Sequence, residues 1–156
     1  MKDDDQTADT QTEEEAERLC IVGIGASAGG LEAIREMLGS TRADNNLAYV
    51  VVQHLDPNHE SLLAELLSRY TELNVMQVSG GESIEAGNVY IIPPGHGLSV
   101  RESKLELTEF AQPRGLRRPI DDFFESLAVD QGRFAACVIL SGTGADGSAG
   151  LRAIKE

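Results

Sequence analysis

Apolar and polar positions fall into alternating blocks along this chain. From Cys20 to Ala26 the residues CIVGIGA run without a polar interruption, which predicts a strand buried on both faces. The run stops at Ser27 among small residues and glycines, and Leu31, Ile34, Met37 and Leu38 then recur at helical spacing. Leu47 to His54 is a second continuous apolar strand that ends on a histidine. Asp56 and Pro57 mark a helix start, with Leu62, Leu63, Leu66, Leu67 and Tyr70 as its buried stripe. Asn74 to Val78 and Val89 to Ile92 read as short strands separated by glycine turns.

After Pro93-Pro94-Gly95 breaks the chain, Leu98-Ser99-Val100 and Leu105-Glu106-Leu107 flank a polar tip and predict a hairpin. Thr108 to Pro119 is a long connection holding Arg114, Arg117 and Arg118, of the kind that often carries function. Ile120, Phe123, Phe124, Leu127 and Ala128 form the apolar face of a third helix, with Asp121 and Asp122 at its positive end. Phe134 to Leu140 predicts a further buried strand, followed by Ser141 to Gly147 and a helix from Ser148 that reaches Glu156 without a cap. Strands alternating with helices predict an α/β fold: a doubly wound, mainly parallel sheet with helices on both faces and a small β-hairpin excursion.

Composition narrows this picture in three ways. Aromatic residues are only 4% of the chain and Trp is absent, so the core must be built from Leu, Ile, Val and Ala. The formal charge of −13 argues against nucleic-acid binding, which needs a basic footprint. Residues 1–18 hold eight acids against two bases with no apolar periodicity, and are expected to be a disordered acidic tail ahead of a domain spanning 19–156. No apolar run approaches the roughly 20 residues that cross a bilayer, and the acidic start is unlike a signal peptide, so a cytoplasmic location is expected. Cys20 and Cys137 fall in predicted buried strands and read as inert core residues.

The first strand-to-helix turn supports two chemistries. Gly25-Ala26-Ser27-Ala28-Gly29 fits G-x-S-x-G, where a sharp turn presents a serine hydroxyl. Gly23-Ile24-Gly25-Ala26-Ser27-Ala28 fits G-x-G-x-x-A, where glycines let backbone approach a pyrophosphate. A dinucleotide site usually places an acid at the end of the second strand, and here that place holds Gln53-His54. His54, Asp56 and His59 suggest a metal, but only His96 remains as a further imidazole and the ligand set is incomplete. Neither a cofactor nor a metal is therefore expected. Ser27, His54 and Asp146 each lie at or just past the carboxyl end of a predicted strand, where parallel sheets gather function. A hydroxyl nucleophile needs a base, and the base needs an acid to fix its tautomer.

From Ile21 onward the sequence resembles the catalytic domain of the chemotaxis-receptor methylesterases, the CheB type of protein-glutamate methylesterase. The matching segments are Ile24 to Gly30, Val52-Gln53-His54, Gly87 to Pro94, Arg118 to Asp121, and Leu140 to Gly147. The resemblance implies hydrolysis of glutamate methyl esters on methyl-accepting chemoreceptors, with glutamine deamidation as a related activity. It assigns Ser27 as nucleophile, His54 as general base and Asp146 as the orienting acid. Backbone N–H groups of Ala28 and Thr143 are the candidates for the oxyanion, and Arg114, Arg117 and Arg118 for a substrate-binding edge. The order Ser, His, Asp separates the chain from α/β-hydrolases, which run Ser, acid, His. Stand-alone members carry a phosphorylatable receiver domain ahead of this one, in place of which the chain has the acidic tail. The domain is expected to continue past Glu156, and the local sequence is most like versions that open a larger fusion with a receptor methyltransferase. The reading from another class is a non-catalytic regulatory or docking module of a sensory signalling protein.

Overall fold

The computed structural model describes residues 18–26, 30–42, 45–53, 62–110, 117–140 and 154. Five parallel strands form the central sheet: β1 (Cys20–Ala26), β2 (Leu47–Gln53), β3 (Asn74–Gln77), β4 (Asn88–Ile91) and, after a separate hairpin of β5 (Gly97–Arg101) and β6 (Lys104–Thr108), β7 (Ala135–Leu140). Their spatial order is β3-β4-β2-β1-β7. Three helices are described: α1 (Leu31–Gly39), α2 (Leu63–Ser68) and α3 (Pro119–Gln131).

This order explains which helix covers which face. Crossovers between parallel strands are right-handed, so the direction of each step across the sheet selects the face its connection takes. The steps β1 to β2 and β2 to β3 run one way, and α1 and α2 share a face, where Ile34, Leu38, Leu63 and Leu67 pack on Val22, Ile24, Tyr49 and Val51. The steps β3 to β4 and β4 to β7 run back. Val78 and Ile84, the hairpin and α3 accordingly lie on the other face, where Phe123, Phe124 and Leu127 join Leu98, Val100 and Leu105 over Ile21, Val50 and Val52. The doubly wound fold expected from the alternation of elements is the one observed.

The hairpin turns tightly at Glu102 and Ser103, both with positive φ, as a two-residue connection between right-twisted strands demands. Its turn is held from α3: the Glu102 and Ser103 N–H groups donate to Asp130 at 2.6 and 3.0 Å, and the Gln131 amide donates to Ser103 Oγ at 2.9 Å. The outer edge of β6 does not lie open, because Gly81 and Ile84 donate to the Leu105 and Ser103 carbonyls.

Two sequence expectations change. Of the stripe assigned to the second helix, Leu63 and Leu67 are buried, while Leu62 is 60% and Tyr70 48% exposed, with Leu66 also exposed. Residues 63 and 67 lie one turn apart on the face that meets the sheet, and 62, 66 and 70 form the adjacent row, rotated about 100° away. The start at Asp56 and Pro57 lies outside the described residues, as does the helix expected from Ser148, except Ile154. The last strand is not buried on both faces: among the described residues β7 has a sheet neighbour on one side, and five of its six residues are only half-buried. Cys20, the first residue of β1, and Cys137 in β7 are likewise half-buried.

Candidate active site

Because all five strands of the central sheet are parallel, their carboxyl ends share one edge, and the register shows which of them are neighbours there. Ala26, the last residue of β1, pairs with Gln53, the last of β2, and with Leu140, the last of β7. Adjacent strands stand about 4.8 Å apart, so three chain exits are gathered within two strand spacings. The next residues in the chain are Ser27, His54 and Ser141, the last opening the segment that contains Asp146. Ser27, Ala28, His54, Arg114, Thr143 and Asp146 lie outside the described residues.

Gly23 and Gly25, which open the two overlapping motifs, have a defined task on β1. Alternation along the strand turns Ile21, Gly23 and Gly25 towards α3 and Val22, Ile24 and Ala26 towards α1. A Cβ at Gly25 would stand 2.6 Å from Ile120 Cγ2, and one at Gly23 would stand 2.9 Å from Phe124 Cε1. The helix therefore sits directly on the strand backbone. Both glycines lie inside β1 rather than in the turn beyond it, and the side they open is filled by α3. That placement is not the pyrophosphate-facing one of a dinucleotide fingerprint.

Contact of Ile120 with Gly25, and of Phe124 and Leu127 with Gly23, also fixes the direction of α3: it runs antiparallel to β1, and its N-terminus meets the carboxyl edge. Arg118 occupies the N-cap position of α3 and is exposed, which puts it at the rim of that edge. Arg117 is half-buried, with its guanidinium 4.5 Å above the Phe110 ring. Asp121, placed by the sequence at the positive end of the third helix, is 5% exposed in the first turn of α3. Gln53, 6% exposed at the end of β2, was not singled out by the sequence pattern. A polar residue closing an otherwise apolar strand is the signal that marks it.

The other groups considered from sequence lie elsewhere. His96 is exposed beside the start of β5, and His54, Asp56 and His59 are outside the described residues. Among the described residues no three His, Cys, Asp or Glu side chains are grouped to hold a metal ion. Burial raises the Cys20 thiol and pushes that of Cys137 up to about 12, a hydrogen bond with the Gly23 backbone offsetting only part of the latter. An open cleft of about 400 Å³ lies between Gly39–Arg42 and Arg69–Glu72, where α1 and α2 end. It is at the amino edge of the sheet, remote from the gathered strand exits. No helix among the described residues is long and apolar enough to cross a membrane.

An open, doubly wound parallel sheet with three neighbouring strand ends converging on one edge defines the class of α/β domain that builds its site from carboxyl-edge loops. The sequence description of CheB methylesterase matches residues 22–156. The chain belongs to that family. It is 36% identical over 140 residues to protein-glutamate methylesterase/protein-glutamine glutaminase 2 of Pseudomonas aeruginosa, an alignment covering 87% of this chain and 40% of that protein. The same identity and coverage hold for the protein-glutamate methylesterase/protein-glutamine glutaminase of Geobacillus kaustophilus. The crystal structure of the Thermotoga maritima CheB methylesterase catalytic domain superposes with a TM-score of 0.77 at 30% identity, over 88% of this chain and 75% of that one. The chain thus spans about two fifths of the length of these curated relatives.

Proposed function

We propose that this chain hydrolyses methyl esters of glutamate side chains on methyl-accepting chemoreceptors, in the cytoplasm, by a Ser-His-Asp mechanism without metal or cofactor. The observation that carries the reading is the register Gln53–Ala26–Leu140, which makes neighbours of the strand ends preceding Ser27, His54 and the Asp146 segment. Family membership supports the chemistry, since the relatives above are named as methylesterases and glutaminases.

In this reading His54 takes the proton of Ser27 Oγ as the oxygen attacks the ester carbonyl. Asp146 holds the imidazole in the required tautomer and stabilises its charged form. Backbone N–H groups of Ala28 and Thr143 receive the oxyanion. Collapse of the tetrahedral species breaks the C–O bond to the methoxy group, which leaves as methanol with the proton from His54. Water then releases the glutamate carboxylate from the acyl-enzyme, with His54 again acting as base. A glutamine side chain passes through the same steps and loses ammonia. Arg114, Arg117 and Arg118 contribute to the rim that meets the receptor, the last two at the N-terminus of α3.

The test is methanol release from methylated chemoreceptor as a function of pH. Because His54 must be neutral to accept the proton, and an unperturbed imidazole titrates near pH 6.5, the rate should rise between about pH 6 and 8. No methanol release, or a flat profile with chemistry rate-limiting, overturns the assignment.

A further inference from the structure

Two consecutive arginines lead into α3, and the structure gives them different surroundings. Arg117 is half-buried, its guanidinium stacked 4.5 Å above the Phe110 ring. Arg118 is exposed and occupies the N-cap position, where its side chain makes no capping hydrogen bond. The N-cap suits Ser, Thr, Asp or Asn, whose side-chain oxygen accepts from the first helical N–H groups. A guanidinium has donors only. Its charge also has the wrong sign, because the N-terminus of a helix is the positive end of its dipole, and Asp121 and Asp122 in the first turn are the residues that match it. Helix formation therefore gives no reason for an arginine at position 118.

The packing of α3 on β1 shows where that charge stands. Ile120 lies against Gly25 and Phe124 against Gly23. Four helical residues rise about 6 Å and two strand residues about 6.6 Å, so the two elements keep level along this contact. Arg118 is two residues before Ile120, about 3 Å further towards the carboxyl edge, which brings it level with Ala26, the last residue of β1. Its backbone is held there, since the Asp122 N–H donates to the Arg118 carbonyl at 3.0 Å. An exposed cation thus stands beside the strand end from which Ser27 follows, on a chain whose formal charge is −13.

We infer that Arg118 is a specificity-determining residue of the receptor-binding rim: its guanidinium pairs with a carboxylate side chain that flanks the scissile methyl ester on the receptor. This rests on the esterase reading above. The ester itself is neutral and offers the guanidinium no charge, whereas a neighbouring glutamate or aspartate offers the planar pair of oxygens that the guanidinium fork fits. The acidity of the whole chain repels such a segment. A local cation at the rim gives it one favourable approach, with the ester delivered to the carboxyl edge.

The experiment measures kcat/KM for methanol release from two synthetic peptides, each carrying one glutamate γ-methyl ester, flanked by glutamates in one and by glutamines in the other. The full 156-residue chain is compared with Arg118→Gln, Arg118→Glu and Arg69→Gln, the last removing an equal charge at the amino edge. The parent and Arg69→Gln should prefer the glutamate peptide by about 3- to 5-fold at low salt, as an exposed ion pair of good geometry allows. In Arg118→Gln the ratio should fall to about one, in Arg118→Glu it should invert, and about 1 M salt should flatten the preference of the parent. Both variants at position 118 should melt no lower than the parent, because a cation leaves the positive end of α3. A parent without preference, a preference kept by Arg118→Gln, or one lost equally in Arg69→Gln overturns the inference. A variant at position 118 that melts lower and loses rate on both peptides alike shows the pattern of a structural arginine and overturns it as well. Release from methylated chemoreceptor but from neither peptide overturns the inference alone; no release from methylated chemoreceptor overturns the esterase reading and the inference with it.

Discussion

Cys137 pairs across the sheet with Gly23, and burial pushes its thiol up to about 12 while a hydrogen bond with the Gly23 backbone pulls only weakly the other way. At pH 8 the reactive thiolate is then a fraction of about 10⁻⁴. Folded protein treated with iodoacetamide at pH 8 should therefore leave Cys137 unmodified for as long as unfolded protein takes to react completely. Alkylation at equal rates would contradict the burial. Asp130 illustrates the opposite balance. Burial alone would raise its pKa, but hydrogen bonds from the Gln131 amide and the Ser103 and Glu102 N–H groups outweigh it and hold the carboxyl below its ordinary value. A depressed native pKa contributes stability that is present above the unfolded value of about 3.9 and is lost as pH falls through the native one. Asp130→Asn should melt below the parent at pH 6, and the gap should close as pH drops below about 4. A gap independent of pH would show that the charge of Asp130 plays no part in holding the hairpin turn.

Between elements, α3 fits closely on β1. Ile120, Phe124 and Leu127 occupy the space that side chains at Gly23 and Gly25 would need, so the strand is smooth on one face and apolar on the other. Gly25→Ala should destabilise by about 1–3 kcal/mol through overpacking against Ile120. Combined with Ile120→Ala, which removes the obstructing Cγ2, the loss should be smaller than the sum of the two single losses, because the new methyl enters vacated space. Thermal or urea unfolding of the three variants checks this, and strict additivity would mean that the two positions do not meet. This contact was hidden in the sequence. Gly25 fits both a nucleophile turn and a dinucleotide turn and Gly23 the second alone, and nothing local records that a helix about 95 residues downstream would fill the space beside them. The second helix posed a related difficulty. Leu62, Leu63, Leu66, Leu67 and Tyr70 make a stripe wider than the face the sheet can cover, and only packing decides that Leu63 and Leu67 are the buried pair.

For the whole molecule, the elements were legible and their arrangement was not. Continuous apolar runs marked β1, β2, β4 and β7, and helical spacing marked α1 and α3, because burial on two faces or one leaves a direct imprint on residue choice. A run such as AACVIL reads the same whether its strand is fully or half covered, so the partial burial of β7 was not recoverable. The candidate site was legible to the same degree. Ser27, His54 and Asp146 could be placed at strand ends, but only the order β2-β1-β7 makes those ends neighbours. Gln53 escaped notice because a polar residue at a strand terminus ordinarily faces water, whereas this one is covered. The account stands most directly on Ser27. The decisive measurement is methanol release from methylated chemoreceptor by the chain and by Ser27→Ala, with melting temperatures taken on both. The account predicts release by the parent, loss of release in the variant, and nearly equal stability, since one hydroxyl is removed from a turn of small residues; undiminished release by a folded Ser27→Ala would contradict it.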